Sequence, residues 1–343
     1  MNGCPMRRMR QLLLALFFCA GGGYAGEIRA VWEQSGKGLY PGDWPRTFRV
    51  LKANGITDLF VNVGGIDFAH YASRVLPRSY LFRTAGDQLA ACLTAARGTG
   101  VRVHAWLFCF NATRPTAEQR AVFERKRWYL KDPSGGQLTY LDPSNPDLRW
   151  MLLKAVEELV RTYPVAGVHL DFVRWYERPA VAKATPTVWA RFCSERKVRS
   201  DKAFAEWREA KISSFVTAAR AKAKGIRPTV WFTVAVLGKY PSCVDSVGQD
   251  WKAWLNAGSV DYIVPMNYSA DAAKYISLVA VQSQSRAHAR RTISGIGVTG
   301  NELNLTARQV NWQVATARAA GMAGVAFFDL DETLVRLFPA IRR

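Results

Sequence analysis

Gly167-Val168-His169-Leu170-Asp171-Phe172-Val173-Arg174-Trp175 is the stretch on which the fold turns. It opens on Gly after an amphipathic run at 147–162 and is rich in apolar residues, which predicts a buried strand fed by a helix. Strand alternation puts His169 and Asp171 on one face and Val168 and Leu170 on the other. A polar face opposite a greasy one, flanked by helices in sequence, suits a strand whose apolar side faces a helical layer.

The same unit repeats outward in both directions. Strand-like runs fall at 28–33, 59–63, 101–108, 167–172, 229–236, 262–267, 292–296 and 324–328. Helical patterns lie between them at 44–53, 88–97, 147–162, 201–224, 251–256 and 307–320, and Gly55, Gly100, Gly258 and Gly321 stand where helix hands over to strand. Eight strands with helical connections and no long polar linker predict an α/β fold, a single (β/α)8 TIM-type barrel over residues 26–343. A doubly wound sheet alternates in the same way, but its dinucleotide fingerprint belongs after the first strand. There the chain reads Glu33-Gln34-Ser35-Gly36-Lys37, which does not match. The stretches 111–144 and 175–200 predict elaborated loops after strands 3 and 4, over the barrel's active face.

Composition agrees with a large packed core: 343 residues, 49% hydrophobic and 22% charged, which excludes disordered, collagenous and disulfide-framework proteins. The charge is lopsided, with 47 Lys+Arg against 27 Asp+Glu and a net +20, a surface that draws polyanions. Arg7, Arg8 and Arg10, an apolar run from Leu12 to Ala20 and small residues up to Ala25 read as a secretory signal over residues 1–25. The run is too short to span a membrane. The expected product is exported, periplasmic or secreted; Cys19 raises a lipoprotein alternative, which Phe17 and Phe18 disfavour. Removing residues 1–25 leaves 44 Lys+Arg against 27 Asp+Glu, a net +17, and four cysteines, Cys92, Cys109, Cys193 and Cys243. One or two disulfides and buried free thiols both fit that set.

Catalytic groups in such a barrel project from the C-terminal ends of strands. Asp171, beside Arg174 and aromatics, suits acid/base or nucleophilic work on a sugar, while an Asp171–Arg174 ion pair that only orders a loop fits the same residues. Glycoside hydrolysis uses two carboxyls, and Asp329, Asp331 and Glu33 are the candidate partners at other strand ends; Asp67 is another acidic group at a strand end. His169, Arg174, Trp175, Asn267, Tyr268, Asn111 and Trp32 are the candidate substrate-holding residues; Trp106 and Phe108 are assigned to core packing. His169 fits a satisfied core histidine equally well.

Three motifs mislead. Phe328-Asp329-Leu330-Asp331-Glu332-Thr333 resembles an aspartyl-phosphate signature, yet too little chain follows it to build that fold. Gly295-Ile296-Gly297-Val298-Thr299-Gly300 matches Gly-x-Gly-x-x-Gly, but after the seventh strand and without a following acidic ribose ligand. The four histidines, His70, His104, His169 and His288, show no metal-ligand spacing, so neither a metal nor another cofactor is expected.

Taken in order, several segments resemble glycosyl-hydrolase-like family ten of exported bacterial proteins, and more distantly the barrel domain that hydrolyses poly-N-acetylglucosamine. They are Arg29-Ala30-Val31-Trp32, Tyr140-Leu141-Asp142-Pro143-Ser144-Asn145-Pro146, the stretch 167–175, Trp254-Leu255 with Val260-Asp261-Tyr262-Ile263-Val264-Pro265-Met266-Asn267-Tyr268, Gly295-Ile296-Gly297 and Gly324-Val325-Ala326-Phe327-Phe328. The resemblance implies a (β/α)8 barrel that hydrolyses an amino-sugar polymer, with bacterial cell-wall glycan strands, possessed of their own carboxylates once peptides are removed, as the leading substrate. It places Asp171 at the family's central acidic position. Some relatives carry a second acid where this chain has Phe172, and a small hydroxyl residue where its last strand reads Phe-Phe-Asp, so the partner carboxylate stays open. A monomer is expected, with no specific nucleic-acid partner; a non-catalytic glycan-binding barrel is the rival.

Overall fold

The computed structural model describes residues 26–299 and 303–342. The export signal read over residues 1–25 lies outside them. Eight parallel strands form the barrel: β1 (Ile28–Glu33), β2 (Asp58–Gly65), β3 (Arg102–Phe108), β4 (Gly167–Asp171), β5 (Trp231–Val236), β6 (Tyr262–Pro265), β7 (Ile293–Gly297) and β8 (Gly324–Phe328). Each pairs with the next in sequence and β8 returns to β1, Val31 lying opposite Phe327. The seam between β6 and β7 is sparser, closed by the Ile263 and Asn267 amides donating to the Arg291 and Gly295 carbonyls at 3.0 and 3.2 Å. The TIM-type barrel and every predicted strand are therefore present, with ends shifted by a few residues at most.

Strand parity sorts the core into two parts. Val31, Leu59, Val61, Val103, Ala105, Val168, Leu170 and Val234 face outward into one apolar layer shared with the helices. Ala30, Trp32, Phe60, Trp106, Phe108, Val264 and Ala326 fill the barrel. Across the sheet Phe108 sits opposite Asp171, and Trp106 opposite His169, so inward residues form levels across neighbouring strands. At the barrel's other end Asp58 accepts from His104 Nε2 at 2.7 Å and Arg102 at 2.8 Å, a buried charge that its two donors hold below the usual carboxylate range despite burial.

The helix Pro146–Thr162 shows how sequence makes the outer layer. Asn145 caps it by accepting from the amides of Asp147 and Leu148, Pro146 opens it, and Leu148, Leu152, Ala155, Val156, Leu159 and Val160 recur at helical spacing on its buried side. Each fully buried Leu or Val there contributes about 1.5–3 kcal/mol. The helix Asp201–Ile226 packs beside it, burying Phe204, Trp207, Ile212, Phe215 and Val216. Gly258 and Gly321, with φ of 66° and 70°, end their helices in the left-handed region as their positions predict.

The two long loops carry structure of their own. After β3 come the helix Ala117–Arg125 and an antiparallel pair, Tyr129–Lys131 with Gln137–Leu141. After β4 come helices Pro179–Ala184 and Pro186–Glu195. A third excursion follows β2, where Phe68–Ala69 folds back on Gly64–Gly65 and the helix Tyr80–Ala85 follows. It is anchored by Glu158, which accepts from the Ser73 hydroxyl and the Arg74 amide at 2.6 Å each. The four cysteines of the described residues are free, all buried except half-buried Cys193.

Candidate active site

β4 ends at Asp171, whose side chain turns inward at the C-terminal mouth of the barrel. The next residue, Phe172, takes φ of 52°, a left-handed conformation that costs a non-glycine residue roughly 1 kcal/mol. Two hydrogen bonds hold it there: its amide donates to Asp171 Oδ1, and its carbonyl accepts from the Phe110 amide at 3.1 Å. That twist brings Arg174 back over the Phe172 ring, its guanidinium 4.3 Å from the centroid, and onto Asp171 Oδ1 at 3.2 Å. Burial opposes the Arg174 charge, but Asp171, Tyr140 and Glu177 outweigh it and raise its pKa above the ordinary arginine value. Asp171 Oδ2 takes no hydrogen bond among the described residues.

Around this pair lies a cavity of about 190 Å³ lined by Trp32, Gln34, Trp106, Phe108, Asp171, Phe172, Arg174, Ala235, Met266, Tyr268 and Phe328. Its wall is aromatic. Tyr268 stacks on Phe328 at 5.3 Å and meets Trp32 edge-on at 6.5 Å, and Phe108 meets Phe172 edge-on at 5.2 Å. Trp106 Nε1 is buried without a hydrogen-bond acceptor among the described residues, and a donor left so is costly. Larger cavities of about 790, 750, 580 and 490 Å³ exist; the first lies between the helix Asp201–Ile226 and the segments that follow β4 and β5, and none of them is lined by Asp171.

The structure brings Trp32, Asp171, Arg174 and Tyr268 together as the sequence predicts, and corrects several other assignments. Trp106 and Phe108 line the cavity instead of serving only as core, sharing strand parity with His104. Trp175 is fully buried, its indole donating to the Arg208 carbonyl at 2.9 Å with Trp207 beside it, so it holds no substrate. Asn267 is also fully buried: its amide donates to Gln282 and Ser294 at 2.8 and 3.1 Å and accepts from Gln282 at 2.7 Å, leaving nothing for a ligand. His169 does not reach Asp171. Its Nε2 accepts from the Trp32 indole at 3.0 Å, which assigns the ring proton to Nδ1, 2.8 Å from Thr233 Oγ1. Burial and the nearby His104 keep it well below the usual histidine pKa, so it is a neutral post that orients Trp32.

The carboxylate partners separate cleanly. Glu33 curls onto its own loop, accepting from the Ser35 hydroxyl and amide and, at 2.8 Å, from the Gly36 amide; it does not line the cavity. Asp331 caps the helix Glu332–Leu337, accepting from the Leu334 amide at 2.7 Å. Both are held by main-chain donors in structural roles. Asp329 follows cavity-lining Phe328, lies just outside the lining itself, and accepts from the Thr299 hydroxyl at 3.2 Å. Burial, then the charge of Asp331, raises its pKa. Tyr268 connects the two remaining acids: burial first, then the charges of Asp171 and Asp329, push its hydroxyl well above the usual value, so both carboxylates lie within electrostatic reach of it. Asn111 follows β3, buried, with Oδ1 unpaired and outside the cavity lining.

The glycine pattern at 295–297 has a packing cause. A Cβ on Gly295 would lie 2.6 Å from the Pro265 carbonyl and 3.2 Å from Trp32, and one on Gly297 would lie 2.8 Å from the Tyr268 ring. Bare backbone on β7 lets Trp32 and Tyr268 close the mouth. Among the described residues, no group of three or more His, Cys, Asp or Glu gathers to hold a metal ion, and no helix is long and apolar enough to cross a membrane.

With that geometry in place, comparison with known proteins gives a consistent answer. A family model described as glycosyl hydrolase-like 10 matches residues 27–313. The glycosyl hydrolase DigH of Escherichia coli K12 is 24% identical over 261 residues, covering 66% of this chain and 58% of that protein. The glycosyl hydrolase YngK of Bacillus subtilis 168 is 23% identical over 284 residues, covering 71% of this chain and 54% of its own length. The chain thus spans somewhat more than half the length of these relatives. In structure, the PgaB (BpsB) glycoside hydrolase domain of Bordetella bronchiseptica superposes with a TM-score of 0.63 at 16% identity, over 92% of this chain and 97% of that domain. At that identity the likeness establishes the shared barrel fold.

Proposed function

We propose that this chain, which belongs to the glycosyl hydrolase-like 10 family, is an exported, monomeric glycoside hydrolase that cleaves an amino-sugar polymer, foremost peptidoglycan glycan strands freed of their peptides. The observation that carries the reading is the meeting of Asp171, Arg174 and the unpaired Trp106 N–H in one aromatic-walled cavity at the barrel's C-terminal mouth. Aromatic rings offer faces to sugar rings, and the polar groups fix orientation. The basic balance of the chain outside residues 1–25 suits a polyanionic strand, since muramic acid carries a free carboxylate once its peptide is gone.

Asp329, with its raised pKa, is the group suited to give a proton to the departing glycosidic oxygen. Asp171 then acts on the anomeric carbon, either directly as nucleophile or by taking a proton from the attacking water. Arg174 fixes the Asp171 carboxylate, and Tyr268 lies within electrostatic reach of both acids. The two routes differ in product stereochemistry. One observation favours a second reading, a glycan-binding barrel without hydrolysis: Glu33 and Asp331 are sequestered by main-chain donors, which leaves Asp329 as the one partner among the three.

Mass spectrometry of soluble products from peptide-free and peptide-bearing strands separates the readings. New reducing ends from the peptide-free strands support hydrolysis. Retained binding with no released sugar from either substrate overturns it in favour of the binding barrel.

A further inference from the structure

A second cavity, of about 750 Å³, opens between the loops that follow β2 and β3, on the same side of the barrel as Asp171. Its inner end holds two buried side chains with unused polar atoms: Asp67 Oδ1 and His70 Nε2 have no hydrogen-bond partner among the described residues, and the residues are 2% and 5% exposed. Their other atoms are fixed. Asp67 Oδ2 accepts from the Arg114 amide at 2.6 Å, and its carbonyl accepts from Gln119 at 2.8 Å; His70 Nδ1 is 2.8 Å from Ser79 Oγ. Arg78, Arg83 and Arg114 line the outer part, all exposed, and Tyr80 stands at the rim, 75% exposed. Phe68, on the cavity wall, packs in the same apolar cluster as Trp106 and Phe108, so the two cavities share a partition.

We propose that this cavity is an accessory subsite for a carboxylate-bearing sugar residue of the glycan, a proposal that rests on the reading of the chain as a glycan hydrolase. The exposed guanidinium of Arg114 pairs with the sugar's carboxylate in the planar two-donor geometry that arginine offers and lysine does not. Arg83, whose Nη1 already donates to the Arg78 carbonyl at 2.7 Å, adds its remaining donors, and the three arginines outweigh Glu118 on the same lining. Tyr80 offers a ring face to the pyranose. Asp67 Oδ1 and His70 Nε2 are closed off as the cavity stands and gain a sugar hydroxyl as partner once the side chains in front of them shift to admit it. A peptide on the lactyl group turns this carboxylate into a neutral amide and adds bulk, so the subsite selects strands without peptides.

The test is titration calorimetry at low salt with three disaccharides: N-acetylglucosamine–muramic acid, the same compound with its carboxyl reduced to the alcohol, and a glucuronate disaccharide. The wild-type chain and the double variant Arg83→Ala/Arg114→Ala are compared; both arginines are surface side chains, and matching melting temperatures confirm that the variant is folded. The muramic compound is expected to bind the wild type about tenfold more tightly than its reduced form, the worth of a charge-assisted hydrogen bond. The variant brings the two within about twofold. An unchanged preference in the variant, or none in the wild type, overturns the subsite; tighter binding of the glucuronate compound assigns the carboxylate to a uronic acid instead of the lactyl group. Because the readout is binding, absence of hydrolysis would defeat the proposed function and leave this result standing.

Discussion

Gly297→Ala is a one-carbon change that tests whether the mouth of the barrel is built as described. The added Cβ would stand 2.8 Å from Tyr268 Cγ and 3.0 Å from its Cβ and Cδ1. Ordinary carbon contacts begin at about 3.5 Å, so the ring must retreat by roughly 0.5–1 Å. It has little room, because Phe328, the strand partner of Gly297, stacks on it at 5.3 Å and Trp32 meets it at 6.5 Å. Overpacking of this kind costs about 1–3 kcal/mol, a melting-temperature drop of about 2–8 °C for a chain of this size. Displacing a cavity-lining ring by that distance is expected to lower kcat/KM on peptide-free glycan by about 10–100-fold. Gly225→Ala is the control: it lies in the helix Asp201–Ile226 with nothing within 4 Å of the added carbon, and its stability is expected to hold or rise by about 0.5–1 kcal/mol. Combining Gly297→Ala with Tyr268→Ala removes the Cγ and Cδ1 contacts and leaves only the one to Cβ at 3.0 Å, so the stability losses are expected to be non-additive. Full activity and an unchanged melting temperature for Gly297→Ala, or additive losses in the double variant, would refute the packing argument.

Two further variants probe groups with opposed or disguised roles. Asp67, raised to about 6 by burial against an ordinary 3.8, lends stability that is complete below pH 4 and lost as pH rises through 6, while His70, lowered to about 4 by burial and Arg114, lends stability above pH 6.5 that is lost as pH falls through 4. The two nearly cancel, so in Asp67→Asn the unfolding free energy is expected to rise by on the order of 3 kcal/mol more than in wild type between pH 4 and 6.5, measured by urea titration at each pH; parallel curves would contradict it. Asp331→Ser replaces one good helix cap with another and removes the smaller of the two causes that raise Asp329, so activity is expected to stay within about tenfold of wild type; a loss of about a thousandfold would restore Asp331 as a catalytic candidate.

The sequence carried the barrel because each strand repeats one pattern, an apolar face toward the helices and a mixed face inward, and parity alone put Asp171 in the mouth. Parity applied further would also have found Trp106 and Phe108, two and four residues after inward-facing His104. It fails where the strand stops. Phe172, with φ of 52°, breaks the alternation, so Arg174 returns to the cavity while Trp175, its neighbour, turns into the core. Asn267 and Tyr268 diverge in the same way just beyond β6. The capping roles of Glu33 and Asp331 depend on loop geometry three residues long, which composition does not reveal. The excursion after β2 was hidden because its anchor is Glu158, distant in sequence and on another helix.

The decisive variant for the chemistry at the mouth of the barrel is Asp171→Asn. Asparagine keeps the shape and an oxygen for the Phe172 amide and Arg174, so the protein is expected to fold and to bind peptide-free glycan within about threefold of wild type. Its rate of sugar release, followed by reducing ends under saturating substrate, is expected to fall by at least about 10²–10⁴-fold. Release at the wild-type rate would remove Asp171 from the chemistry and contradict the account of this cavity as the active site.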